Sequence, residues 1–163
     1  MNKPPYQKGP QTGGYQKGGS SGAPRSAPSG KLLLAFKKGL EAQPELMDIA
    51  QSFAQELVNG RIQVKHHQLR LLLDLAIRVK QSHKETRDQL LSTSSKGRLA
   101  VMRPRLAYMA ARERGLISLQ LELDLLLKDK DAFKIGADLD RLYEFVAAVV
   151  AYHRYEESNK SAH

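Results

Sequence analysis

From Lys31 to the C-terminus, apolar residues return at intervals of three and four in one segment after another. That spacing restricts the chain to helices packed side by side. Leu46, Ile49, Ala50, Phe53 and Leu57 form one stripe. Pro44 suits the first position of that helix, Glu45 and Asp48 sit in its early turns, and Gly60 stops it. Leu69, Leu72, Leu73, Ala76 and Val79 form the next stripe, and the pattern leaves open whether this helix runs on toward Leu91. A short first helix is expected over Leu32 to Phe36, another over Leu99 to Arg114 with Pro104 opening or kinking it, and a last one over Ala137 to Tyr155. Ser92 to Gly97 reads as a loop.

One segment departs from the helical period. Ile117, Leu119, Leu121, Leu123, Leu125 and Leu127 alternate as in a strand. They are mostly Leu rather than β-branched, and no second segment offers a pairing edge, so a strand here would leave its backbone groups without partners. Read as a helix, the segment has two apolar stripes. One holds Leu116, Leu119, Leu123, Leu126 and Leu127; the other holds Ile117, Leu121 and Leu125. The second stripe should face another helix of the chain or a neighbouring subunit.

Residues 1–30 have a different composition. They hold seven of the twelve glycines and five of the seven prolines, with Lys3, Lys8, Lys17 and Arg25 and no acid. Such a stretch buries too little apolar surface to offset the entropy of ordering it. The expected organisation is therefore a disordered, basic, Gly/Pro-rich N-terminal tail over 1–30 and an all-α single bundle of about five or six helices over 31–163. Tyr6-Gln7-Lys8-Gly9 and Tyr15-Gln16-Lys17-Gly18 repeat within the tail.

Several chemistries are excluded or disfavoured. With no cysteine there is no disulfide, thiolate metal site or cysteine nucleophile. No stretch approaches the roughly 18 apolar residues of a membrane span, and the N-terminus lacks an apolar signal core. A cytoplasmic protein is expected. His66 and His67 are adjacent and diverge on a helix, no histidine has another four residues on, and no glycine-rich phosphate loop follows a strand. No enzyme activity, metal or cofactor is expected.

The charge balance, 26 Lys plus Arg against 17 Asp plus Glu, favours a polyanionic partner. The cations cluster between Lys96 and Arg114. Lys96, Arg98, Arg103, Arg105, Arg112 and Arg114 meet one acid there, Glu113. Arg105, Tyr108 and Arg112 fall at i, i+3 and i+7 on one helix face, and Arg98 extends the line if the helix begins early. Guanidinium forks match phosphate oxygens, and an interleaved Tyr can stack on a base. Lys65, Gln68, Arg70 and Arg78 bracket the preceding helix, with Arg61 and Lys80 nearby. Lys65, Arg70, Arg78, Lys96, Arg98, Arg103, Arg105, Tyr108 and Arg112 are candidate nucleic-acid contacts. Ile117, Leu121 and Leu125 are candidate subunit-interface residues.

The stretch from Met102 to Arg112 (MRPRLAYMAAR) resembles a basic-Pro-basic-Leu-Ala-Tyr signature of one family. That family is the small helical subunit of the type III-A CRISPR effector, the Csm complex. Gln68-Leu69-Arg70 resembles its Gln-hydrophobic-Arg triplet. Leu142 to Val146 with Val150 to His153 resembles its closing helix. The likeness runs over about residues 43–155. His66-His67 stands where the family more often has small hydroxyl residues, and the Gly/Pro arm is not a family hallmark. The resemblance implies a non-catalytic subunit on the backbone of the guide RNA and its single-stranded target RNA. It thereby implies that the nucleic acid is RNA, and it adds Gln68 to the candidate RNA contacts. It also implies, as partners, other CRISPR effector subunits and further copies of the chain, with no membrane. Two alternatives stand beside it: a helical protein–protein adaptor whose basic face is only solvated, and the small subunit of the related type III-B complex.

Overall fold

Six α-helices carry most of residues 27–162, which are the residues described in this computed structural model. They are α1 (Lys31–Lys37), α2 (Gln43–Asn59), α3 (His66–Gln81), α4 (Thr93–Arg112), α5 (Ile117–Lys128) and α6 (Gly136–Ser161). The expected tail lies outside the described residues except for its last four. Among the described residues there is no strand beyond an isolated bridge between Leu90 and Ile135. None of their helices is long and apolar enough to cross a membrane.

α6 is the central helix. Leu139, Leu142, Phe145, Val146, Val149, Val150 and His153 are buried along it at three- and four-residue steps, and α2 and α3 pack against this ridge. Each fully buried Leu, Val or Phe contributes about 1.5–3 kcal/mol by leaving water. α5 lies between α1 and α4. That position explains its two apolar stripes. Leu119, Leu123 and Leu126 are buried, whereas Ile117, Leu121 and Leu125 are half-buried. Leu121 shares a groove with Leu32 of α1 and with Ile49 and Phe53 of α2. Leu125 comes within 3.7 Å of where a side chain on Gly30 would begin. Leu121 and Leu125 of the second stripe thus lie beside other segments of their own chain while staying only half-buried.

The short helix α1 is held at both ends by buried charges. Ser29 N–H, Ser29 Oγ–H and the Gly30 N–H all donate to Oε1 of Glu122, which is 4 % exposed. Contacts with the helical domain therefore begin before Lys31. At the other end Arg141, 3 % exposed, donates through Nη1 to the Phe36 carbonyl at 2.8 Å and lies over the Phe36 ring. A carboxylate at the helix start and a guanidinium at its end both match the helix dipole. Burial pushes the Arg141 guanidinium below its ordinary range, countered by Asp138 and Glu144.

The loop expected over Ser92 to Gly97 is corrected: α4 begins at Thr93. Ser92 is its cap, accepting from the Ser95 N–H at 3.2 Å, and Ser95 and Leu99 lie on the buried face. The serine run reads equally as a cap signal, and burial of that face offsets the cost of Gly97, about 1 kcal/mol. Pro104 lies inside α4 and does not open it, and the helix ends at Arg112. α3 stops at Gln81. The loop after it is stitched to the start of α6, where Gly136 N–H donates to the Gln89 carbonyl and Ala137 N–H to that of Arg87. α6 runs past Tyr155 to Ser161, steadied by a Lys160 Nζ bond to the Val58 carbonyl at 3.2 Å.

Candidate nucleic-acid interface

Because α4 starts at Thr93, Arg98 falls on the same helical line as Arg105, Tyr108 and Arg112. All four are exposed, as is Val101 between them, and Tyr108 retains 63 % of its surface. The opposite side of α4 carries Leu99, Met102, Leu106 and Ala110 into the core. Burial of that stripe therefore aims the basic line at solvent. Arg112 lies 5.9 Å from the Tyr108 ring centroid, with Nη1 at 3.4 Å from the phenolic oxygen. The pair stands as a unit of planar groups that can stack or donate. Lys96 is exposed in the first turn of the helix, which contains no acidic residue at all.

α3 packs against α4 and adds its own cations. Leu71, Asp74, Leu75 and Arg78 of α3 face Pro104, Arg105, Tyr108 and Met109 of α4 across a groove of about 430 Å³. Arg78 and Arg105 rim this groove, and Leu71, 57 % exposed, contributes to its apolar wall. Arg70 is exposed one turn before Asp74 on the same face of α3. Leu71 and Leu75 were not singled out from the sequence. Their four-residue spacing off the core line of Leu69, Leu72, Ala76 and Val79 was the available signal.

Three of the expected contacts are occupied or set apart. Arg103 turns inward, its Nε–H donating to Asp124 of α5 at 2.9 Å. Gln68 accepts from the Lys65 N–H at 2.7 Å and so closes the first turn of α3. Lys65, the residue before α3, is exposed there. From the wider basic group, Lys80 pairs with Asp140 at 3.3 Å and covers Tyr143.

Ion pairing sorts the remaining cations. Lys37, Lys80, Arg87, Arg103 and Lys128 each have a carboxylate of the bundle within 4.0 Å. Among the described residues, Arg70, Arg78, Lys96, Arg98, Arg105 and Arg112 have none. Acids gather elsewhere: α2 carries Glu45, Asp48 and Glu56 with no Lys or Arg. Glu45, Asp48, Glu56 and Glu122 border the groove of about 490 Å³ beside α1, α2 and α5. The α3–α4 face can therefore attract a polyanion, whereas the groove beside α1, α2 and α5 has an acidic excess over its one lining cation, Lys31.

Residues 41–159, well over half of the chain, match the family model described as Csm2 Type III-A. No curated protein and no solved structure gives a match.

Proposed function

The chain belongs to the Csm2 type III-A family and is a subunit of the type III-A CRISPR complex, and from that premise we propose that it is a non-catalytic RNA-backbone clamp. Its α3–α4 face holds the guide RNA and the single-stranded target RNA paired with it. The observation that carries this reading is the set of cations without carboxylate partners, Arg70, Arg78, Arg98, Arg105 and Arg112, gathered around one exposed tyrosine. A subunit serving any guide must accept every sequence. Phosphate contacts meet that requirement because they carry no base information. The role is one in antiviral defence inside the cytoplasm. Contacts with neighbouring subunits, further copies included, fall to the acidic groove and the half-exposed Leu121 and Leu125, because that charge keeps RNA away.

Arg105→Glu and Arg112→Glu should each weaken binding of single-stranded RNA with helical circular dichroism unchanged. Affinity should fall steeply with salt and depend little on base composition. Wild-type affinity of both variants at low salt would discard this face as the clamp. A second reading is supported by the apolar wall of the α3–α4 groove, where Leu71 and Tyr108 stand exposed: a protein segment could dock there. A gel shift at moderate salt separates the two, because an adaptor of that kind leaves RNA unshifted.

A further inference from the structure

Away from the basic face, the fold brings His66 of α3 to a pair of side chains set four residues apart on α6. His66 opens α3, His153 lies near the end of α6 at 0 % exposure, and Glu157 follows one helical turn later. One possible ligand atom from each lies within 4.8 Å of the other two. The two imidazole rings are stacked, with centroids 6.3 Å apart and planes at 28°.

Hydrogen bonding decides what these groups present. Nε2 of His153 is 2.8 Å from the Val64 carbonyl oxygen. A carbonyl only accepts, so the ring proton sits on Nε2, and a neutral His153 carries a lone pair on Nδ1. That Nδ1 is buried without a hydrogen-bond partner and faces Oε2 of Glu157 at 3.7 Å. Nδ1 of His66 is likewise buried and without a partner. His153 Nδ1 thus turns a lone pair toward the Glu157 carboxylate, an unfavourable pairing that a cation bound between them would relieve.

We propose that His66, His153 and Glu157 form a binding site for a divalent transition-metal ion of the zinc class, which ties the start of α3 to the end of α6. Imidazole and carboxylate donors suit zinc at about 2.0–2.2 Å. The Val64 carbonyl fixes His153 from its far nitrogen, as outer hydrogen bonds commonly do for metal-bound histidines. A tetrahedral ion with such bonds sets its ligand atoms roughly 3.4 Å apart. Side-chain rotation by His66 and Glu157, both only half-buried, closes the present spread. Glu157 borders a groove of about 410 Å³, shared with Gln63, Arg154, Ser158 and Lys160, from which water could supply the fourth ligand. Arg154 competes for Glu157 at 3.7 Å, but its side chain is 67 % exposed and can swing into solvent. The dipoles nearly cancel: the end of α6 favours a cation and the start of α3 disfavours one.

The test uses the full chain without an affinity tag, stripped by a chelator and titrated with zinc chloride, then with cobalt chloride. Expected are one zinc per chain by elemental analysis, a higher Tm at saturation, and the intense visible absorption of four-coordinate cobalt. His66→Asn and Glu157→Gln avoid the fully buried ring and should keep wild-type helicity while losing roughly tenfold or more in zinc affinity. His67→Asn and His83→Asn should bind as wild type. The proposal is overturned if zinc stays well below one per chain. It is also overturned if His66→Asn and Glu157→Gln bind zinc as wild type does, or if saturating zinc leaves Tm unmoved.

Discussion

Arg103 and Arg105 stand two residues apart on α4 and about 200° apart around it, and the fold uses them in opposite ways. On the inner side, Arg103 reaches Asp124, which also takes Lys128 at 2.5 Å, so α4 and α5 are joined by a small ionic network. On the outer side, Arg105 and its neighbours Arg98 and Arg112 have no carboxylate in reach. The difference decides what each arginine can offer a ligand. A paired guanidinium must abandon its carboxylate to meet a phosphate. An unpaired one gives up little beyond side-chain freedom and releases counterions from the RNA as it binds. Glu122 and Arg141 are the extreme of the inner kind, buried groups that hold the two ends of α1. Composition counts all these residues alike, whereas geometry separates them into charges that hold the bundle and charges that face outward.

The sharpest break in that division comes from Arg141. Replacing it with Met keeps the volume but leaves the Phe36 carbonyl without its donor inside the core. A cost of about 2 kcal/mol is expected, or roughly 6 °C in Tm for a domain of this size, the lost hydrogen bonds being partly offset by removal of a buried charge. RNA affinity of the folded fraction should not change. A loss below about 1 kcal/mol in a denaturant titration would mean that the buried arginine is dispensable and the division too strict. Next in size is the outer face. Arg105→Glu should weaken RNA binding about tenfold, equivalent to about 1.4 kcal/mol, and lower the magnitude of the salt slope by about 0.7 or more. Its stability should stay within about 0.5 kcal/mol of wild type, as for other exposed positions.

Arg103→Ala is the mirror image. It should lower stability by about 1 kcal/mol, because the lost network is only partly screened and Asp124 keeps Lys128. It should leave RNA affinity within about twofold. If Arg103→Ala and Arg105→Ala proved equal in both assays, the inner and outer sides of α4 would not differ in function.

The sequence made much of this division legible, but not its terms. Three- and four-residue spacing found the helices that bury one local stripe, whereas α5, with its strand-like alternation and two stripes, was read as a helix because no second segment could pair with it. Even the orientation of Arg103 could be inferred, since it falls four residues after Leu99 and three before Leu106, both buried. Its partner could not, because Asp124 is 21 positions away on another helix. The start of α4 was misread because serines and a glycine serve loops and caps alike, and only the burial of Ser95 and Leu99 separates the two. The last turn of α6 has no apolar stripe to announce it and rests on Lys160 reaching back to α2. The four-residue spacing of His153 and Glu157 on α6 was readable, but His66 was not, for the same reason as Asp124: the fold alone brings it there. The Arg98–Arg105–Arg112 line was readable because a single helix carries it.

The smallest effect tests the inner side through its acid. Burial alone would raise the pKa of Asp124, but the hydrogen bonds and charges of Lys128 and Arg103 outweigh it and hold the carboxyl below its ordinary value of 3.8. A folded-state value below the unfolded one means that the unfolded chain takes up the proton first on acidification. The stabilisation is therefore complete above about pH 4 and is lost as pH falls through the lower folded-state value. Asp129, held below its ordinary range chiefly by Lys37, moves in the same direction, and it does so in wild type and variant alike. Asp124→Asn should accordingly be less stable than wild type at pH 6 by under about 1 kcal/mol, since Arg103 and Lys128 are both partly in solvent. The gap should close as the pH drops toward 2. A gap that stays constant with pH would assign the role of Asp124 to shape and neutral hydrogen bonding. The ionic description of the inner side of α4 would then have to be given up, while the unpaired outer side would stand.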